Sequence, residues 1–198
     1  MLETIPPVTA RPEVLEFLLT RRSRPARTLT LPVPTRDELL PILAAAVRVP
    51  DHGKLEPWRL IVVQGAAFAR LADLAEARAV ELQGDAEMIA KGRGQYDLGK
   101  LAVVVIASPK PAPKIPAVEQ LMSAAALCFG IVNVAEAAGW GASWLTGWPA
   151  HDATFAARAF GCTQGETVAG IVHIGTPPAD PPDRPRPDLD RLVTWAEA

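Results

Sequence analysis

The segment from Val118 to Ala138 constrains the fold more than any other part of the chain. It is the longest apolar helical stretch present, and its length approaches that of a membrane span. Glu119, Gln120, Asn133 and Glu136 interrupt it, which places it inside protein rather than in lipid. A helix that is apolar nearly all round needs cover on every side. A chain of 198 residues builds one substantial core rather than two. One such core covers this helix only with difficulty, and a second subunit would complete the cover. The expectation is a single domain over 1–198, working as a homodimer.

The segments around this helix alternate between helix and strand patterns. Glu13 to Arg22 carries a broad apolar helical face behind Pro12, a residue suited to a first turn. Thr35 and Glu38 have capping-box spacing ahead of an apolar stripe, but Pro41 implies either a kink or a start near Pro41. Arg59 to Val63 and the uninterrupted apolar run Leu101 to Ala107 read as central strands. Ala66 to Leu82 and Asp85 to Gln95 read as the helices between them. Prolines 109, 111, 113 and 116 mark an extended connection into the long helix. Beyond it come a short strand within Gly139 to Gly147, a helix over His151 to Phe160, a buried strand over Val168 to Ile174 and a surface tail over 177–187. This pattern implies an α+β fold with a mixed central sheet covered by helices. Residues 1–11, with Pro6 and Pro7, read as a flexible arm and not as a secretory signal.

Composition narrows the function. Apolar residues make up 49 % of the chain, charged residues 21 %, and the net charge is −2, which argues against bulk nucleic-acid binding. Two cysteines, Cys128 and Cys162, are too few for a disulfide framework and suit a reducing, cytoplasmic setting. The histidines at 52, 151 and 173 lack the close spacing of a metal-hydrolase site.

Three segments combine groups that could carry chemistry. Arg21, Arg22 and Ser23 offer convergent donors for phosphate or polyol oxygens, although a basic helix end is equally suited to the helix dipole. Arg48 to Gly53, followed by Pro57 and Trp58, joins a cation, the titratable His52 and an aromatic in one loop. Gly139 to Gly147 mixes freed backbone amides with Trp140 and Trp144, which suits close approach to a planar ligand.

In this order and spacing, the RRS triplet, the RVPDHGKLEPW stretch, the GWGASWLTG segment and the VHIGTP strand end resemble the nitroreductase family, and in particular its compact single-domain NAD(P)H branch. The resemblance implies an α+β homodimer with FMN at the subunit interface. It assigns Arg21, Arg22 and Ser23 to the FMN phosphate and ribityl chain. Arg48 and His52 would reach the flavin of the partner subunit. Trp144, Leu145 and Thr146 match the segment beside the cofactor, with Leu145 supplying backbone or packing. A C-terminal arginine, Arg184 or preferably Arg186, would approach the phosphate.

The implied chemistry is hydride transfer from NAD(P)H to FMN and then reduction of a small acceptor such as a nitroaromatic or quinone, with ping-pong kinetics. No side chain is assigned as an essential proton donor. The alternative from another class is a catalytically idle flavin-binding or regulatory dimer, which would fail to turn over nicotinamide.

Overall fold

The computed structural model describes residues 7–196, so the first six residues of the expected N-terminal arm lie outside the described residues. Residues 7–11 are exposed and irregular. Helix α1 (Pro12–Thr20) starts on Pro12 and ends where Arg21 turns extended. Helix α2 (Arg36–Ala46) is closed by a reciprocal cap: Glu38 N–H donates to Thr35 Oγ1 at 3.3 Å, and Thr35 N–H donates to Glu38 Oε2 at 2.8 Å. It neither starts at Pro41 nor stops there. Pro41 and Asp37 both face solvent, so water can satisfy the carbonyl that loses its helical partner.

The remaining elements are β1 (Trp58–Gln64), α3 (Ala67–Glu81), α4 (Ala86–Asp97), β2 (Leu101–Ala107), α5 (Ala117–Ala137), β3 (Gly141–Leu145), α6 (Trp148–His151), α7 (Ala153–Phe160), β4 (Thr167–Gly175) and α8 (Leu189–Leu192). The single helix expected over His151 to Phe160 is divided at Asp152. That residue is extended and accepts the Phe155 N–H at 2.6 Å, while Arg78 grips its carboxylate at 2.9 and 3.0 Å.

The sheet has the order β1-β2-β4-β3. The α+β class and the nitroreductase-like sheet covered by helices agree with expectation, but two details differ. Every neighbouring pair is antiparallel rather than mixed, and β1 is an edge strand rather than a central one. The connections explain the pairing. Between β1 and β2 the chain passes through two helices, which return it to the end it left and reverse the next strand. Between β2 and β3 it passes through α5 alone, so these strands run the same way, and β4 fits between them in the opposite sense.

Each face of the sheet carries its own core. On the first face α2 and α5 pack against Val103, Val105, Val172 and Ile174. Helix α5 contributes Ala124, Leu127, Cys128, Ile131, Val132 and Ala135, a stripe at helical spacing. Each fully buried Leu or Ile contributes roughly 1.5–3 kcal/mol. A Cβ on Gly130 would sit 2.9 Å from the Ala46 carbonyl oxygen, so glycine is what lets α2 and α5 approach. On the second face α3, α4 and α7 bury Phe68, Leu71, Tyr96, Phe155 and Phe160. Tyr96 and Phe155 stack there with ring centroids 5.7 Å apart.

The four polar residues that interrupt the α5 sequence each meet a definite environment. Glu119 Oε2 lies 2.7 Å from His52 Nδ1. Gln120 accepts the Lys110 N–H at 2.7 Å and donates to the Lys110 carbonyl at 3.0 Å, which fixes the proline-rich connection. Asn133 has a buried Oδ1 without a partner among the described residues. Glu136 reaches back to the arginine cluster, as described below.

Candidate functional site

The helices of the second face stop short of the β3 edge, where the uncovered sheet becomes the floor of a cleft of about 590 Å³. This volume is in the range of small-molecule and cofactor sites, about 300–1,000 Å³. Ser143 and Leu145 from β3 and His173 from β4 form the floor. Ser143 and His173 are direct cross-strand partners, so their side chains share one face. Gly94, Gln95 and Leu98, toward the end of α4, make one wall. The segment after α1 and the tail around Arg184 make the others.

Among the described residues, five arginines line the cleft, namely Arg21, Arg22, Arg27, Arg184 and Arg186, and no carboxylate does. A concave surface of this charge favours an anion of small size. The arginines are held from behind. Arg21 Nε donates to Glu136 Oε2 at 3.3 Å, and Arg21 Nη2 donates to Ser23 Oγ at 3.2 Å. Arg22 donates to the Pro182 carbonyl at 2.8 Å, while Arg186 donates to Asp183 and to the Leu19 carbonyl, each at 2.9 Å. The Arg24 N–H donates to the Ala142 carbonyl at 2.8 Å, which docks this segment on the free edge of β3. Arg27 and Arg184 form no ion pair among the described residues.

The Glu136 side chain is only 8 % exposed. Burial raises its pKa from the ordinary carboxylate value, and the Arg21 charge works against that rise. The long apolar helix therefore ends in a carboxylate that fixes the first arginine of the cleft.

The structure brings together part of the predicted set. Arg21, Arg22, Ser23, Leu145 and Arg186 all line the cleft, and so does Arg184. Trp144 does not, because strand alternation turns it to the first face, where its indole covers Gly170 so closely that a Cβ there would collide. Thr146 is half-buried beyond the strand end and outside the lining. Arg48 lines a separate groove with Asp51, Lys54 and Trp58. His52 pairs with Glu119 at the start of α5, so a single chain leaves both Arg48 and His52 away from the cleft. Trp58 packs against the first core and donates Nε1–H to Ser123 Oγ at 3.1 Å.

Several lining residues escaped the sequence reading. Gln95 carries no local motif, whereas Arg27 belongs to the basic cluster that begins at Arg21 and Ser143 lies within the GWGASWLTG segment, though neither was singled out as a site residue; Glu136, which holds Arg21 from outside the lining, was visible only as an interruption of α5. His173 had a signal, since a lone imidazole in the run VAGIVHIG is costly to bury without purpose.

A helix-covered antiparallel sheet with an arginine-lined, partly apolar cleft at one edge suits a small ligand that carries a phosphate or similar anionic group. The chain belongs to the nitroreductase family, whose model matches residues 18–176. YdjA of Escherichia coli strain K12 is 33 % identical over 165 residues, covering 83 % of this chain and 88 % of its own. A Haemophilus influenzae protein is 34 % identical over 166 residues, with coverage of 83 % and 88 %. Both carry provisional NAD(P)H nitroreductase names. Among solved structures, a nitroreductase-like family protein from Bacillus cereus superposes with a TM-score of 0.76 at 21 % identity, covering 98 % of this chain and all of the other. A mutant of NfnB from sphigopyxis sp. strain HMH, described as an FMN and NADPH-dependent nitroreductase, gives a TM-score of 0.70 at 20 % identity, covering 91 % of this chain and 97 % of the other. At such identities these superpositions support the shared fold.

Proposed function

We propose that this chain is an FMN-dependent oxidoreductase that passes reducing equivalents from NAD(P)H to a small acceptor such as a nitroaromatic or a quinone. The observation that carries the reading is the cleft itself: five arginines and, among the described residues, no carboxylate, beside a floor that is partly apolar. The residues fit FMN on two counts. The guanidinium groups suit a phosphate, and buried polar atoms of Gln95 and His173 without partners among the described residues suit the edge of a heteroaromatic ring.

Arg21, Arg22, Ser23 and Arg186 hold the phosphate and sugar-alcohol chain. Leu145 packs against the ring system, while Trp144 and Thr146 shape the strand end beside it. FMN, when bound, supplies the hydride chemistry. The chain's own task is to fix the ring, place positive charge near it and keep bulk water from the reacting face. The cleft takes the nicotinamide and the acceptor in turn, which gives ping-pong kinetics.

The working form is a homodimer in the cytoplasm, each chain folding as one domain. Two apolar surfaces support the association: α1 buries none of its residues, and Val118, Leu121, Met122 and Phe129 of α5 are exposed. In this assembly Arg48 and His52 approach the cofactor of the partner.

The test is an absorption spectrum of purified protein with and without added FMN, followed by steady-state NAD(P)H oxidation with a quinone or a nitroarene. One bound FMN per chain, with parallel double-reciprocal lines, is the expected outcome. Protein that stays colourless with FMN overturns the reading, and bound FMN with no turnover leaves only an idle flavin-binding dimer.

A further inference from the structure

His173 is 1 % exposed, and neither ring nitrogen has a hydrogen-bond partner among the described residues. An imidazole buried without partners costs about 1–3 kcal/mol, and native interiors seldom keep such a group without a use for it. It also lines the arginine-walled cleft, opposite Ser143 and with Phe68 stacked behind it at 6.2 Å. A second orphan lines the same cleft: Gln95 Nε2 is buried and unpartnered among the described residues. A Cβ on Gly147, whose φ is +77°, would collide with Gln95 Oε1, so the turn after β3 keeps its glycine where this amide packs.

We propose that His173 and Gln95 are ligand-contacting residues, a polar pair in the cleft that completes its hydrogen bonds on the edge of the planar group bound there. The assignment rests on the FMN reading and goes beyond the arginine cluster, which addresses only the phosphate end. Burial pushes the His173 pKa down to about 4, so the ring is neutral at physiological pH and offers one donor and one acceptor. Gln95 Nε2 adds donors only. The result is a floor that selects a heteroaromatic edge carrying both kinds of group over an apolar ring of equal size.

The test is an FMN titration, followed by flavin fluorescence, of the wild type, His173→Leu, His173→Gln and Gln95→Leu, together with a thermal melt of each flavin-free full chain. His173→Leu and Gln95→Leu should each raise the FMN dissociation constant about tenfold, the cost of one buried hydrogen bond left unmade. His173→Gln, which keeps a donor and an acceptor, should recover part of that loss. The melting temperature of flavin-free His173→Leu should be equal to or above that of the wild type, because the substitution removes two unpaired buried nitrogens at nearly constant volume. Unchanged FMN affinity in His173→Leu, measured beside a wild type that binds FMN, overturns the assignment. A lowered melting temperature with the affinity loss also overturns it, by making the histidine structural. A wild type without FMN affinity removes the FMN reading and this inference together, and the wild-type control tells that failure from the others.

Discussion

The two faces of the sheet are finished differently. On the second face the outer surfaces of the helices are laced with ion pairs. Arg93 reaches Asp73 at 2.9 Å and Asp97 at 3.3 Å, and Arg78 joins Asp152 and Glu81, each at 2.9 Å. On the first face α5 buries one apolar stripe and leaves Leu121, Met122 and Phe129 outward. Nearby in sequence to the cleft arginines, α1 exposes Val14, Leu15, Leu18 and Leu19 and buries none of them. The second face is tied together by charge, although its cleft lies open and Val80 and Leu82 stay exposed, while the outward side of α5 carries an apolar patch. Helix α5 is long and apolar enough to cross a membrane, yet its buried stripe packs on the sheet.

The most damaging way to break this contrast is to put charge on the apolar side. Met122→Glu together with Phe129→Glu should abolish the proposed dimer in light scattering and lower FMN retention at least about tenfold, because interface anchors carry most of an association energy and, in the proposed assembly, each site would lose the partner's Arg48 and His52. Arg70→Ala, on an exposed position of α3, is the matched control and should change neither property. A dimer that survives the double substitution would mean that α5 does not form the interface.

A smaller effect is expected where the two faces meet, at Arg21 and Glu136. Arg21→Ala should weaken FMN binding about tenfold, the worth of one charge-assisted hydrogen bond, while the fold stays intact. The carboxyl of Glu136 already has a raised pKa, so without Arg21 it can take up a proton instead of remaining a buried anion. The stability cost should therefore stay near 1–2 kcal/mol by denaturant unfolding. Adding Glu136→Gln should recover that stability and leave the FMN defect in place. Unchanged flavin affinity in Arg21→Ala would remove Arg21 from the site.

These pairs also mark the limit of what the sequence reveals. Helix and strand positions were legible because apolar periodicity and caps are local: Pro12 marked the start of α1, and Thr35 with Glu38 marked that of α2, although Pro41 left the latter open between two starts. The break at Asp152 was missed although its N-cap bond to the Phe155 N–H is local; only the grip of Arg78 on the same carboxylate is distant in the chain. Strand order was hidden because it rests on contacts distant in the chain, and β1 proved to be an edge. In the cleft, Arg21, Arg22 and Ser23 stood out as a contiguous motif whose meaning came from the family resemblance. Gln95, Ser143 and His173 converge from three elements, and only tertiary structure makes them neighbours. For α5, sequence alone explained that its polar residues forbid lipid, whereas the partner of each residue had to be seen.

The smallest expected effect tests the charged side of the contrast. Arg59, on the edge strand β1, donates Nε and Nη2 to the two Glu166 oxygens at 2.9 Å each, and Nη2 also reaches the Phe160 and Gly161 carbonyls at 3.2 Å. This fork ties β1 to the end of α7 and to the turn before β4. The guanidinium holds the Glu166 carboxyl well below the usual carboxylate range. A carboxyl with a lowered pKa in the folded state stabilises the fold above its unfolded value, and that stability is lost as pH falls below the ordinary value of 4.5. Glu166→Gln should thus cost about 1 kcal/mol at neutral pH, measured by urea unfolding, and the gap to wild type should narrow steadily below the ordinary carboxylate range. The cost should be the same in the Met122→Glu, Phe129→Glu background, since sites on opposite faces with no shared partners add. A gap constant with pH would trace the loss to geometry rather than charge. Non-additivity with the α5 pair would show that the two faces are energetically coupled.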